Sequence, residues 1–449
     1  MQNFRSSNPL YRAKGILRPS SEAAEPTGAT GELRVLMLSH MDPRLSNGGA
    51  EIAALQLFQE LEGRPGIRPF FLSCAPGKIE ARDGVTFAQP FDGESYVYAG
   101  RGFDHFIFSN PDPQFPLELS KLLQEIRPDV VHLHHYTNFG VEILLMIRRA
   151  LPNARIVMTL HEYLAICNHF GQMVKRPSFR LCEKSGPREC NACFPEHSPQ
   201  DFFMRELFLK RFFRLVDQFI SPSHFLAERY AAWGIERERI SVIENGVPNL
   251  EKRGTLPYPA VDRGVTFGFF GQISRLKGIN VVLDAADQLL ESDDSIRIEV
   301  HGDYSSQPEQ FQRDFQERLA AAPKNFNYLG PYDNKRVNGL MQSVHAVLVP
   351  SIWWENSPLV IQEALANRRP VICSDIGGMA EKVRDGVDGF HFQAGSGWAL
   401  AGLMRRLAAD RTLLTSAHAA IASPPSVAET TSQILAVYGD KTLGEGNRL

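Results

Sequence analysis

Short apolar runs alternate with amphipathic segments along most of this chain, and this alternation is the feature that most restricts its fold. Near-continuous apolar strands separated by helical patterns are typical of parallel sheets that are covered by helices on both faces. The sequence therefore predicts an α/β protein. The predicted strands are 34–39, 69–73, 129–134, 155–160 and 217–221 in the first half, and 265–271, 296–302, 326–329, 346–349 and 370–374 in the second.

The length of the chain, 449 residues, exceeds what one hydrophobic core usually supports, so we expect two domains. A stretch rich in Pro and Gly with little periodicity interrupts the alternation and predicts a linker. Two Rossmann-like units joined by such a linker are the expected architecture. The predicted segments are a flexible lead-in (1–32), a first domain (33–245), the linker (246–264), a second domain (265–424), a helix (425–440) and a tail (441–449).

Composition excludes several classes of partner. Hydrophobic residues make up 43% of the chain, charged residues 22%, and the net charge is −3, without a basic segment typical of nucleic-acid binding. No apolar stretch approaches the ~20 residues of a membrane span, and the N-terminus lacks the apolar core of a secretory signal. We therefore predict a cytoplasmic protein that does not bind nucleic acid.

The segment 202–216 mixes Phe and Leu with Arg and Lys. The pattern is typical of a core helix with solvated basic residues, which we favour. The alternative is a face for peripheral contact with the inner side of a membrane.

Two carboxylates, Glu355 and Glu363, stand seven residues apart around a predicted strand–helix junction. The run Asn-Ser-Pro that begins at Asn356 predicts a helix start with proline in the first turn. The unpaired amides of Ser357 and Leu359 would then be able to hold a phosphate. A phosphate site with an acid on either side suits a nucleotide-linked sugar, with Glu363 accepting hydrogen bonds from the ribose.

This E-x7-E pattern resembles the retaining glycosyltransferases of family 4, which have the GT-B fold. The similarity extends from about residue 34 to residue 392 and includes further motifs in the same order. These are Gly48-Gly49-Ala50-Glu51, His161, Asn245-Gly246-Val247, Lys277-Gly278 and the GG-x-x-E segment from Gly377 to Glu381. The resemblance implies an acceptor domain and a nucleotide-sugar domain that face an interdomain cleft, with helix 425–440 crossing back to the first domain.

The resemblance also implies roles for individual residues. It places His161 and Glu355 near the donor sugar, with Asn356 among the donor-binding residues. Gly48 and Gly49 would bring backbone amides close to the diphosphate; a tight turn without a ligand is the alternative.

A cation at Lys277 would offset charge on the departing diphosphate. A solvated lysine at the start of a helix is the alternative. Gln272 stands where the family usually has arginine, so Arg275 is the candidate for a second positive charge there.

The histidines of VVHLHHY could suggest a metal site, since His132 and His134 lie on one face of a strand. We favour hydrogen bonding to an acceptor by His134 or His135 over metal binding.

Of the six cysteines, four fall in one polar insertion (165–198). A Cys-x-x-Cys pair with two further cysteines has the ligand count of a structural zinc site, and disulfides are disfavoured in the cytosol. Reduced thiols and an iron–sulfur cluster are the alternatives, and His169 or His197 could replace a thiol. The four residues are Cys167, Cys182, Cys190 and Cys193.

The predicted function is retaining transfer of a sugar from a nucleoside-diphosphate sugar to an acceptor hydroxyl, without a cofactor in the chemical step. The acceptor would be a glycan, a lipid-linked glycan or a small molecule, in surface polysaccharide or glycoconjugate synthesis. The alternatives are another GT-B enzyme, such as an epimerase or phosphorylase, and a non-catalytic protein that binds sugar nucleotides.

Overall fold

The computed structural model describes residues 31–45, 48–79, 86–100, 102–248, 258–260, 264–289 and 295–439. Within them the chain forms two α/β units, each built on its own sheet. We call these units the N-terminal domain and the C-terminal domain. Most of the predicted lead-in (1–32), all of the tail (441–449) and about two thirds of the predicted linker (246–264) lie outside the described residues.

The N-terminal domain begins at the first predicted strand. Its strands are β1 (Leu33–Ser39), β2 (Ile67–Cys74), β3 (Phe87–Ala88), β4 (Ser95–Tyr98), β5 (Val130–Leu133), β6 (Arg155–Thr159), β7 (Gln218–Ser221) and β8 (Ile240–Val242). Its helices are α1 (Gly49–Glu62), α2 (Phe115–Ile126), α3 (Ile143–Ala150), α4 (Pro187–Cys193), α5 (Pro199–Phe213) and α6 (His224–Trp233).

The eight strands of this domain form one sheet in the order β3-β4-β2-β1-β5-β6-β7-β8. Neighbouring strands are parallel, except β3 and β4, which pair antiparallel at the edge. The predicted strands of this half are all present, with ends that shift by one or two residues. Strands β3, β4 and β8 are missing from the prediction. Strands β3 and β8, with 2 and 3 residues, are too short to show a periodic pattern, whereas β4 is as long as β5, which was predicted.

The C-terminal domain repeats the arrangement with a purely parallel sheet in the order β11-β10-β9-β12-β13-β14. Its strands are β9 (Val265–Phe270), β10 (Ile296–His301), β11 (Phe326–Gly330), β12 (Ala346–Val349), β13 (Val371–Ser374) and β14 (Gly389–Phe392). The helices are α7 (Ile279–Gln288), α8 (Glu309–Ala320), α9 (Val337–Ser343), α10 (Leu359–Ala366), α11 (Gly377–Lys382), α12 (Gly397–Ala409), α13 (Thr412–Ala420) and α14 (Val427–Gly439).

Each sheet is buried on both faces, as continuous apolar strands require. In β1, Leu36 packs into one hydrophobic cluster and Met37 into the cluster on the opposite face. In β12, Leu348 and Val349 divide in the same way. Period-two alternation of buried side chains thus explains why these strands read as uninterrupted apolar runs.

The last helix, α14, returns to the N-terminal domain. Ile434, Val437 and Tyr438 belong to the same cluster as Met37 of β1. The hydroxyl of Tyr438 lies 2.7 Å from Nδ1 of His132 in β5. The helix that ends the described chain therefore covers, together with α1, one face of the first sheet.

In each sheet the order of the strands reverses at the first strand of the domain. In the N-terminal domain β1 lies between β2 and β5, and in the C-terminal domain β9 lies between β10 and β12. Ligands of open α/β sheets bind beyond the carboxyl ends of the strands at such a reversal of strand order. The loops that follow β1, β5, β9 and β12 are therefore the expected walls of a site.

No helix in the described part of the chain is long and apolar enough to span a bilayer.

We predict that Tyr438→Phe destabilises the protein. The change removes the hydroxyl bonded to His132 and leaves a buried ring nitrogen without that partner. The free energy of unfolding should fall by about 1–3 kcal/mol, measured by urea denaturation. Tyr332→Phe is the matched control, because the Tyr332 hydroxyl has no hydrogen bond to any described residue. Equal denaturation midpoints for Tyr438→Phe and wild type would contradict the prediction.

Candidate active site

The loop between β12 and α10 carries Glu355, whose side chain is buried at the carboxyl end of the C-terminal sheet. Its Oε1 atom accepts hydrogen bonds from Lys277 Nζ at 2.6 Å, Ser351 Oγ at 2.8 Å and Trp353 Nε1 at 2.9 Å. The carboxylate is thus held by one cation and two neutral donors, which compensates for its removal from water.

Lys277 reaches this carboxylate from the loop that follows β9. The next residue, Gly278, has a left-handed φ of 79° and lies against the Pro350 carbonyl, so a β-carbon there would clash with that carbonyl. Glycine is therefore required for the two loops to approach each other. The structure thus brings together Lys277 and Glu355, two of the residues predicted for the active site.

Asn356 contacts the N-terminal domain through its side chain. Its Oδ1 accepts a hydrogen bond from Ser223 Oγ at 2.5 Å, and its Nδ2 donates to the His161 carbonyl at 3.2 Å. The amide that was predicted to bind the donor therefore joins the two domains.

Ser357 also contacts the first domain, because its hydroxyl donates to Glu244 Oε1 at 2.6 Å. The predicted helix start is one residue early, because Pro358 is the N-cap of α10 and not part of its first turn. Leu359, the first residue of the helix, packs towards Gly49 of the N-terminal domain.

Glu363 lies in the second turn of α10 and is partly exposed. Burial and the nearby Glu363 carboxylate together raise the pKa of the Tyr332 hydroxyl to about 12. The Tyr332 ring packs edge-on against Phe270 and His301, which stack on each other with ring centroids 4.8 Å apart. One end of the site thus combines a carboxylate with an aromatic wall.

The glycine loop after β1 already carries a negative charge. Gly48 is the N-cap of α1, and the buried carboxylate of Glu51 folds back against it. His40 Nε2 lies 3.5 Å from Glu51 Oε1. Because Glu51 occupies the start of α1, an anion at Gly48 and Gly49 requires this side chain to move.

His161 follows β6 and is part of a cluster of buried histidines. Its Nε2 lies 3.1 Å from His134 Nδ1, and the two rings stack. The His132 ring packs against the His134 ring at a centroid distance of 4.5 Å and a tilt of 36°, and it is held by Thr159 at 2.7 Å as well as by Tyr438. Helix α14 is therefore connected to His161 through two imidazole rings.

His135 contacts the carboxylate of Glu162. Its Nε2 lies 3.1 Å from Glu162 Oε1, and its ring packs 4.3 Å from that of His40. Burial lowers the pKa of His40, His132, His135 and His161 to about 3, and it raises the pKa of Glu162 to about 8. The rings are neutral at physiological pH.

The four cysteines of the insertion do not assemble into a metal site. Among the described residues, no group of three or more Cys, His, Asp or Glu side chains is placed to hold a metal ion. The thiols are free, and burial raises the pKa of Cys167 to about 11. The predicted substitutes are engaged elsewhere, because His169 bonds the Val174 carbonyl and His197 stacks on Phe106. The zinc prediction is not supported.

The insertion instead contacts the C-terminal domain. Trp354 Nε1 donates to the Cys182 carbonyl at 3.0 Å, and Arg275 lies 3.8 Å above the Phe179 ring. Arg229 lies 4.9 Å from the Trp354 ring and donates to the Glu183 carbonyl at 2.6 Å. Arg275, predicted at the diphosphate, therefore stacks on the insertion.

Gln272 donates from Nε2 to Ser306 Oγ at 3.1 Å, on the C-terminal domain itself. Among the described residues, no hydrogen bond joins Gln272 to Lys277 or Glu355.

The sequence did not indicate that an ion pair joins the two domains. Lys382 pairs with Glu244 and donates to the Pro222 carbonyl at 2.6 Å. Glu381 accepts from the amides of His224 and Phe225 at the start of α6. The GG-x-x-E motif marked Glu381, but nothing in the sequence indicated that its partner would be a helix of the other domain.

The buried histidines predict a loss of stability in acid. In the unfolded chain imidazoles take up protons near pH 6.5, whereas in the folded chain the four pKa values are about 3. Between these values the unfolded state binds more protons, so the free energy of unfolding falls as pH falls. Urea denaturation should show about 2 kcal/mol less stability per histidine at about pH 5 than at about pH 7.

Glu162 acts in the opposite direction, since its raised pKa lets the folded state bind a proton first. It offsets the effect of about one histidine. His132→Gln should reduce the difference in stability between the two pH values, whereas His224→Gln, at an exposed position, should leave it unchanged. A wild-type protein equally stable at both pH values would contradict the assignment of these rings as buried and neutral.

Two family models match this chain in tandem. The model "Glycosyltransferase Family 4" matches residues 47–249, and "Glycosyl transferases group 1" matches residues 258–422. The first falls on the N-terminal domain and the second on the C-terminal domain.

The curated relatives match over part of their length. A D-inositol 3-phosphate glycosyltransferase of Nocardia farcinica is 27% identical over 62% of this chain and 59% of its own. A phosphatidyl-myo-inositol mannosyltransferase of Mycobacterium leprae is 28% identical over 39% of this chain and 46% of its own. The matched segments thus span about half of these relatives.

Solved structures share the whole architecture. The Anabaena protein HepE, in complex with UDP and glucose, has a TM-score of 0.62 and 17% identity over 90% of this chain and 99% of its own. This similarity confirms the predicted GT-B fold.

Proposed function

Because this chain belongs to the family 4 glycosyltransferases, we propose that it moves a sugar from a nucleoside-diphosphate sugar to an acceptor hydroxyl with retention of configuration. The observation that carries the proposal is the contact between Lys277 and Glu355. These residues follow β9 and β12, the two strands between which the order of the C-terminal sheet reverses. A paired cation and carboxylate at that position suit the phosphate and sugar ends of one donor.

The donor fits the C-terminal domain in a definite direction. Glu363 and the wall formed by Tyr332 would hold the ribose and the base, and Lys277 with the first amides of α10 would hold the diphosphate. Glu355 would then contact the hydroxyls of the sugar. Gly48 and Gly49 would close over the diphosphate from the other domain, once the Glu51 side chain moves away.

The transfer needs no nucleophilic side chain. The acceptor oxygen forms a bond to the anomeric carbon on the face from which the bond to the diphosphate oxygen breaks. The electron pair of that bond stays on the diphosphate, which takes up the proton of the acceptor. Lys277 stabilises the negative charge that develops on the diphosphate, and the carboxylate of Glu355 stabilises the positive charge on the sugar.

His161 lies opposite this site on the N-terminal domain. Its Nε2 is engaged by His134, which leaves Nδ1 to contact the donor sugar. Because the ring is neutral, it would contact a sugar hydroxyl without adding charge. Arg275 would reach the diphosphate after leaving Phe179, which makes its stack on the insertion part of the change between free and loaded enzyme.

The acceptor would bind on the N-terminal side. Relatives carry names that refer to inositol phosphate and to phosphatidyl-myo-inositol. We propose a hydroxyl of a polyol or glycan, free or lipid-linked, as the acceptor of this chain, in the synthesis of a glycoconjugate or surface polysaccharide.

We predict that Lys277→Ala lowers turnover by about 100-fold or more, because it removes the charge that stabilises the leaving diphosphate. Release of UDP or GDP from the corresponding glucose and mannose donors, with water as the acceptor, measures this without knowledge of the natural acceptor. Lys324→Ala, an exposed lysine of the same domain, is the control. A variant at position 277 that turns over at the wild-type rate would refute the assignment. A wild type that binds donors and releases no diphosphate would be a sugar-nucleotide sensor.

We predict that Glu363→Ala weakens donor binding by about 1–3 kcal/mol through lost ribose hydrogen bonds. Isothermal titration with UDP and GDP measures this directly. Glu317→Ala, at an exposed position of α8, should bind as wild type does. Unchanged affinity in Glu363→Ala would remove this residue from the donor site.

A further inference from the structure

Helix α5 of the N-terminal domain is apolar not only on its buried face but also on the face exposed to solvent, which is usually polar in a surface helix. One face is buried and carries Phe202, Arg205 and Leu209. The opposite face exposes large apolar side chains, with Phe203 53%, Met204 60% and Leu207 49% exposed. This cluster of exposed apolar residues on a single helix is unlike the scattered positions normal for a folded surface.

The exposed apolar residues share their face with positive charge. At about 100° per residue, Phe203, Met204, Leu207, Arg211 and Arg214 project within a sector of about 100°. Arg211 and Arg214 are exposed at the C-terminal end of the helix.

Acidic residues are directed away from this sector. Asp201 lies in the first turn, where it closes a capping box with Ser198. Glu206 forms an ion pair with Lys210 at 2.5 Å. The face is therefore apolar at one end and cationic at the other, without an acid between them.

The domain fixes this orientation of the helix. The buried guanidinium of Arg205 donates hydrogen bonds to three backbone carbonyls, at 2.7 Å to Phe106, 2.8 Å to Ala165 and 2.6 Å to Leu164. Rotation of α5 to bury the opposite face would break all three bonds and leave a charge without partners in the interior. The exposed face thus cannot be covered by a rotation of the helix.

We propose that this face of α5 docks on an anionic membrane surface. The apolar side chains would enter the headgroup region, and the two arginines would contact acidic lipid headgroups. Apolar side chains beside arginines fit an anionic lipid surface better than a protein partner. A protein partner would have to place acidic residues opposite both arginines. Membrane docking is the alternative to the core helix with solvated basic residues that the sequence favours, and it is independent of the proposed transfer reaction.

The test is sedimentation with vesicles of phosphatidylcholine, with and without phosphatidylglycerol, in the absence of any donor. Wild type should bind the anionic vesicles and not the neutral ones, and binding should weaken as salt rises. The triple variant Phe203→Ser, Met204→Ser, Leu207→Ser should lose about tenfold or more in partitioning. Arg211→Glu with Arg214→Glu should lose a similar factor.

Leu329→Ser is the matched control, because Leu329 is 54% exposed but lies on the C-terminal domain. It should bind as wild type does. Equal binding of the triple variant and wild type, or no binding by wild type, would overturn the proposal. A lipid-free dimer of wild type that the triple variant abolishes, seen by sedimentation equilibrium, would instead assign the face to self-association. Thermal melting of each variant shows that it is folded.

Discussion

A buried carboxylate at the junction of two domains destabilises a protein unless it is paired, and the arrangement of this site depends on that constraint at Glu355. Three donors converge on one of its oxygens, and they come from the loop after β9 and from its own loop. These loops can meet because strand order reverses between β9 and β12. The donors that compensate the charge of Glu355 can therefore reach it only where the strand order reverses, and this point of the sheet is where the proposed reaction takes place.

Hydrogen bonds next to the site hold the two domains against each other. Asn356, Ser357 and Lys382 of the C-terminal domain bond to His161, Glu244 and Pro222 of the N-terminal domain. Each of these contacts is polar and small. Polar contacts between domains are compatible with opening and closing, which a donor needs in order to enter and a reaction needs in order to exclude water.

The fold was largely predictable from sequence, whereas the contacts within the site were predictable only in part. Parallel strands buried on both faces appear as apolar runs, so β1 and β12 could be recognised residue by residue. Glycine and acidic motifs after strands indicated which loops matter.

The partners of those motifs could not be predicted, because they lie far away in the chain. Glu244 and Ser357 are 113 residues apart, and Asn356 and His161 are 195 apart. The zinc site expected from the cysteine pattern is not supported among the described residues for a related reason: the number of possible ligands does not show whether their side chains converge. The N-cap of α10 shows a local limit, since proline fits the position before the helix as well as its first turn.

The return of α14 has a consequence for how the molecule is made. The first sheet is synthesised early, yet Ile434, Val437 and Tyr438 complete its core and provide the partner of His132. The part of this face that α14 covers, beside α1, stays exposed while the ribosome adds the entire second domain. Completion of the N-terminal half is thus a late event of biosynthesis, and a message cut short near its 3′ end would impair the half of the protein encoded first.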